Sequence, residues 1–132
     1  MDELTGLLHA TMPLCKTLGM RAKAMDKDQV VLELDHQAEL CTSNGVLHGG
    51  ALMALADTAG AACAFANLPE GASGTSTIEG KTNFIGAVTD GSVTATAVPI
   101  HTGSTTIVVE TEVRQGDRLV AKTVQTQAVL RT

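Results

Sequence analysis

His48-Gly49-Gly50-Ala51-Leu52-Met53-Ala54-Leu55-Ala56-Asp57-Thr58-Ala59-Gly60-Ala61-Ala62-Cys63-Ala64-Phe65-Ala66 is the stretch that decides the fold. Between His48 and Glu70, Asp57 is its only acidic or basic side chain. Every other position is apolar or small, so the segment reads as a helix that is apolar on all faces, and such helices are buried. A carboxylate on a buried helix is costly unless it is paired or used. The two glycines after His48 make a turn that opens the helix. A carboxylate and an open helix N-terminus in the most buried element predict a functional site around Asp57 and Gly50.

The rest of the chain narrows the possibilities. Its 132 residues, 44% of them hydrophobic, predict one domain over 1–132 with a sizeable core. The net charge is −5, with no basic run, no Trp, no Tyr and only Phe65 and Phe84 as aromatics. That pattern lacks both a phosphate-tracking stripe and a base-stacking platform, which argues against nucleic acid as a partner. Cys15, Cys41 and Cys63 show no CxxC spacing. They read as free thiols in a reducing compartment. Asp2 and Glu3 stand where a secretory signal needs a basic region. Residues 51–66 fall short of the roughly 20 needed to cross a bilayer, and a central Asp would cost about 2.5–3.5 kcal/mol there. A cytoplasmic protein without a membrane partner is the expectation.

Working outward, residues 3–18 place Leu4, Leu7, Leu8, Leu14 and Leu18 at mostly helical spacing, with Pro13 breaking the segment and Gly19 ending it. Met20–Met25 and Gln29–Asp35 flank an Asp26-Lys27-Asp28 turn as a hairpin. Residues 36–48 read as a loop or short helix. The long helix then runs over 50–68, stopped by Leu68-Pro69-Glu70-Gly71. Only strands follow: Thr75–Phe84, Gly91–Ile100, Thr105–Arg114 and Leu119–Leu130. Turns at 90–91, 101–104 and 115–118 predict an antiparallel meander. The sum is an α+β arrangement, order α-β-β-α-β-β-β-β, with one antiparallel sheet wrapped around one long apolar helix.

Three segments carry a resemblance: Gly45-Val46-Leu47-His48-Gly49-Gly50, then Ala56-Asp57, then Thr75-Ser76-Thr77-Ile78-Glu79-Gly80-Lys81-Thr82-Asn83-Phe84. With the closing Leu119-Val120-Ala121-Lys122, the chain resembles the hotdog-fold thioesterases, and most nearly the phenylacetate-pathway (PaaI-like) acyl-CoA thioesterase family, over residues 5–130. The HGG-x6-D spacing inside an apolar helix is specific; HGG alone is not.

The resemblance implies hydrolysis of an acyl-CoA thioester to a carboxylic acid and free thiol, with no cofactor and no metal. In that family the backbone N–H at Gly50 bonds the thioester carbonyl oxygen, and unpaired N–H donors at a helix start suit an oxyanion. Asp57 is then the nucleophile or the base that activates water, its basicity sharpened by apolar surroundings. Thr77 matches the position where relatives orient the attacking water, with Ser76 the neighbour if the register slips by one. His48 holds the loop or contacts the thioester. Gly49 gives close packing or substrate approach. Asn44 and Thr42 are polar residues at or near the place where relatives carry one that touches the site. Cys41 near His48 resembles a Cys–His pair but lacks a third orienting group. His9 and His36 read as surface residues.

Gly50 and Asp57 lie seven residues apart on one helix, about 10 Å of rise. One Asp cannot easily serve a carbonyl held at its own helix N-terminus, so the site closes only if a second subunit supplies the carboxylate. The resemblance also implies a homodimer with interface sites, assembled further into a homotetramer. One departure stands out. Where many relatives carry an Arg-containing turn for the coenzyme A phosphates, this chain has His101-Thr102-Gly103-Ser104. Lys81, Arg114, Arg118, Lys122 and Arg131 remain as phosphate candidates, and acyl carrier protein remains beside CoA as the thiol carrier. The competing function is a non-catalytic acyl-CoA-binding or sensing module.

Overall fold

The computed structural model describes residues 2–132. The N-terminal helix breaks at the expected place. α1 (Glu3–Thr11) is capped by Asp2, whose side chain accepts from Thr5 N at 2.8 Å. Pro13 opens α2 (Pro13–Leu18), where its missing N–H costs nothing. Gly19 closes it in the left-handed region, φ 79°. Thr5 is buried, and its Oγ1 accepts from Ala22 N at 3.0 Å, tying α1 to the sheet.

β1 (Arg21–Met25) and β2 (Val30–Asp35) form the expected hairpin. Its turn is held by Asp26 Oδ1, which accepts from Asp28 N and Gln29 N at 2.8 and 3.0 Å. A short 3-10 turn at Ala38–Leu40 interrupts the loop that follows. The long helix, α3, is Gly49–Ala66. It ends slightly before the predicted stop, at Asn67, whose Nδ2 donates to Cys63 O at 2.8 Å and to Lys27 O at 2.9 Å. That one amide fastens the end of α3 to the hairpin turn.

β3 (Gly74–Phe84), β4 (Ser92–Thr102), β5 (Thr106–Gln115) and β6 (Arg118–Leu130) complete a six-stranded antiparallel sheet, order β1-β2-β4-β5-β6-β3. The four strands do not form the predicted meander. Only β4, β5 and β6 follow one another in space, and β3 lies beyond β6 at the sheet edge. The reason is competition for edges: β4 pairs with β2 on one side and β5 on the other, so β3 takes the open edge of β6. β4 also runs on through Thr102, shortening the turn expected at 101–104.

The sheet curls around α3 as the hotdog arrangement requires. Leu52, Leu55, Ala56, Ala59 and Cys63 face Val93, Ala95, Ala97, Ile107 and Val109, all essentially removed from solvent. Small helix residues let helix and sheet approach closely. α3 is the one helix among the described residues whose length and composition would suit a membrane span; half of it is buried in this core.

Candidate active site

Asp57 does not meet the expectation of a buried carboxylate. Within the chain it is exposed, on the flank of α3 that looks toward β3 and β6. Apolar burial therefore does not come from its own chain, because β3 is the last strand of the sheet and nothing follows it. What holds Asp57 is a set of hydrogen bonds. Its Oδ1 accepts from Thr77 Oγ1 at 2.8 Å and from Gln125 Nε2 at 2.9 Å. Gln127 Nε2 in turn donates to Thr77 Oγ1. Oδ2 has no hydrogen-bond partner among the described residues.

The β3–β6 register builds this network. Thr77 pairs with Gln127, and a bulge follows between Thr77 and Glu79. Thr77 is the residue of β3 whose hydroxyl meets Asp57. Ser76, its neighbour, points to the other side and makes no contact with the carboxylate. Gly50, Met53, Ala54, Asp57, Thr77 and Gln125 border one open groove of about 420 Å³. Asp57 is the one charged side chain on its lining.

The helix start is arranged differently from the expectation. His48 is the N-cap of α3, and its Nδ1 accepts from Gly50 N at 2.7 Å. The N–H expected to meet a substrate carbonyl is thus held by the chain's own imidazole. An imidazole that accepts at Nδ1 carries its ring proton on Nε2. A Cβ at Gly50 would press on that ring at 2.9 Å. Gly49 serves elsewhere. Its Cα faces the Phe84 ring, and it borders a separate groove with Thr42, Phe84 and Ile85. Asn44 sits exposed in the turn closed by Gly45 and does not reach the Asp57 groove.

Other readings change as well. His9 and His36 are half-buried, not plain surface residues. His9 Nε2 bonds Met20 O at 2.6 Å, and His36 Nε2 bonds Gly45 O at 2.9 Å. Cys41 does have a histidine neighbour, but it is His36, at 3.1 Å, rather than His48. Burial raises the Cys15 thiol and pushes that of Cys63 up to about 11, so both stay protonated near neutral pH. No cluster that could hold a metal ion occurs among the described residues. Of the five cations considered for phosphate, Arg114, Arg118, Lys122 and Arg131 are engaged within the chain. Lys81, on β3, makes no such contact among the described residues.

The residues that sequence reasoning missed are Gln125 and Gln127, 1% and 0% exposed. A signal for them exists. Lys122 must face solvent, so Ala121, Thr123, Gln125 and Gln127 share the opposite, helix-facing parity of β6. Each amide leaves its Oε1 buried without a partner, which costs about 1–3 kcal/mol apiece.

A long helix wrapped by one antiparallel sheet defines the hotdog fold. The chain belongs to the Thioesterase superfamily, whose family model matches residues 44–122. The conserved protein PA5202 of Pseudomonas aeruginosa is 35% identical, with a TM-score of 0.81 over 89% of this chain and 93% of that one. Thioesterase HI1161 of Haemophilus influenzae is 26% identical with a TM-score of 0.89, over 99% of this chain and 92% of that one. SSO2140 of Saccharolobus solfataricus, which carries a provisional esterase name, is 33% identical over 118 residues, 89% of this chain and 83% of its own length.

Proposed function

We propose that the chain is an acyl-CoA thioester hydrolase of the PaaI-like branch, acting in the cytoplasm without a cofactor. The observation that carries this reading is Asp57: one carboxylate oxygen fixed by two donors, the other free, on an open groove along the flank of α3. A carboxylate so held can attack the thioester carbonyl or take a proton from water that does. Either role leaves the thiol as the departing group.

Gly50 N–H is the donor for the developing oxyanion, once substrate takes the place of the His48 ring. Because Gly50 and Asp57 share a helix, the carboxylate that serves one Gly50 is Asp57 of the partner subunit. Support for a dimer comes from the free edge of β3 and from exposed apolar side chains on α3, on β3 and just after it: Met53, which borders the groove, with Phe65, Ile78, Phe84 and Ile85. Covering them buries the hydrophobic rim and dries the carboxylate. A tetramer of two such dimers is the assembly we favour. Lys81 is the cation best placed to remain free for a coenzyme A phosphate.

The test is thiol release from a panel of aryl- and alkyl-CoA thioesters, run with the native chain and Asp57→Asn. Release that disappears in the variant while substrate Kd is unchanged supports the hydrolase. Binding without release from any thioester favours the sensing module instead.

A further inference from the structure

We propose that Gln125 and Gln127 are positioning residues that aim the Asp57 carboxylate, and that Gly60 is the slot that lets Gln125 reach it. The proposal rests on the hydrolase reading and deepens it. Both glutamines lie on the inner face of β6, at successive inward positions, with 1% and 0% exposure. A purely structural amide in a core satisfies both of its ends. These two direct their N–H ends to the Asp57–Thr77 pair and leave both Oε1 atoms without a partner. The opposite amide orientation would set an oxygen against a carboxylate oxygen that only accepts, so donation toward Asp57 is required.

The network has a direction. Gln127 Nε2 donates to Thr77 Oγ1, which leaves the Thr77 proton for Asp57 Oδ1. Gln125 donates to the same Oδ1. Two donors from two strands converge on one oxygen and fix the carboxylate rotation. The other oxygen, Oδ2, is thereby presented to the groove. An exposed Asp without these contacts would sample several rotamers.

Gly60 is the independent observation. It lies three residues beyond Asp57 on α3, is buried, and a Cβ there would overlap Oε1 and Cδ of Gln125 while meeting Nε2 at 3.0 Å. The three atoms nearest to that Cβ all belong to the amide end of Gln125. Gly60→Ala therefore meets that amide first and displaces it.

The experiment is a double-mutant cycle between Gly60→Ala and Gln125→Ala, with kcat and KM read separately on the thioester that the native chain hydrolyses best. Each single variant is expected to lower kcat about 10- to 100-fold, the penalty of a misaimed catalytic group, with KM changed by less than about 3-fold. In the Gln125→Ala background, Gly60→Ala is expected to change kcat by less than about 3-fold. Full additivity, a loss confined to KM, or no loss in either single variant overturns the proposal. Gln127→Leu supplies a second arm, with the same split expected if Gln125→Ala does not fold. A readout independent of turnover separates this idea from the hydrolase reading. The side-chain amide signals of Gln125 and Gln127 in nitrogen–proton NMR should both move on Asp57→Ala. If the native chain releases no thiol, the hydrolase reading fails; amides that stay put overturn the relay on their own.

Discussion

β4 and β6 flank the same strand, β5, and face the same helix, yet they present opposite surfaces. β4 turns Val93, Ala95 and Ala97 inward, and the packing there is apolar throughout. β6 turns Thr123, Gln125 and Gln127 inward at equal depth. Area burial of the β4 kind is worth about 25 cal/mol per Å² of apolar surface. Buried amides of the β6 kind contribute little net and cost stability where an end is unpaired. This molecule is built for stability on the β4 side and concedes stability on the β6 side. The conceded half is the one that borders Asp57.

Variants on the two sides should therefore fail in different ways. The largest effect is expected from Asp57→Asn: thiol release falls about 100- to 10,000-fold, while the unfolding midpoint in urea barely moves, since the new side-chain carbonyl would still offer an acceptor to Thr77 and Gln125. Equal loss of stability and rate would break the contrast. Leu55→Ala, on the apolar side, is expected to cost about 2–5 kcal/mol, read by urea unfolding, with kcat per folded molecule near native. Thr77→Val cuts the polar side between Gln127 and Asp57; it leaves the Gln127 amide without its acceptor, for about 1–3 kcal/mol, and lowers kcat as well. Cys63 gives the apolar side a pH signature. Burial holds its thiol at about 11 against an ordinary value of 9.0, so the folded state favours the protonated form. That contribution is complete below pH 9 and is lost as pH rises toward 11. Unfolding curves across that window should show a decline of roughly 1–2 kcal/mol that Cys63→Ala removes. The smallest effect belongs to a site remote from both halves. Arg21 bonds Asp35 at 2.8 Å and Glu33 at 3.1 Å near the surface, and Arg21→Ala should cost no more than about 1 kcal/mol with no change in rate.

The long helix, the first hairpin, the break at Pro13 and the final strands were legible because each is a local pattern. Alternation in Val30–Asp35 and the unbroken apolar run around Asp57 need no partner to be read. The place of β3 is not local. Nothing in Thr75–Phe84 says whether its neighbour is the next strand or the last one, and the edge it took was decided by β2 claiming β4. Asp57 and Thr77 were each legible through a family position, but their contact was not; the β3 register brings them together. Burial of Asp57 was misread because helix composition reports the apolar average, whereas exposure follows which flank lacks a covering strand. Gln125 and Gln127 were missed because a strand of Thr, Val and Gln reads as a strand whichever parity faces inward; only Lys122 betrays the parity. The cap of His48 on Gly50 was equally silent, since it depends on one ring rotamer.

Gly60 carries a consequence for anyone who would stabilise this protein. A glycine in the middle of an 18-residue helix forfeits about 1 kcal/mol of helix propensity relative to alanine, and thermostabilising design treats such a position as free improvement. Here the absent methyl group is room already occupied by Gln125. A sturdier helix would come with a displaced amide, so selection for heat resistance alone should drive this chain toward a well-folded, poorly aimed enzyme.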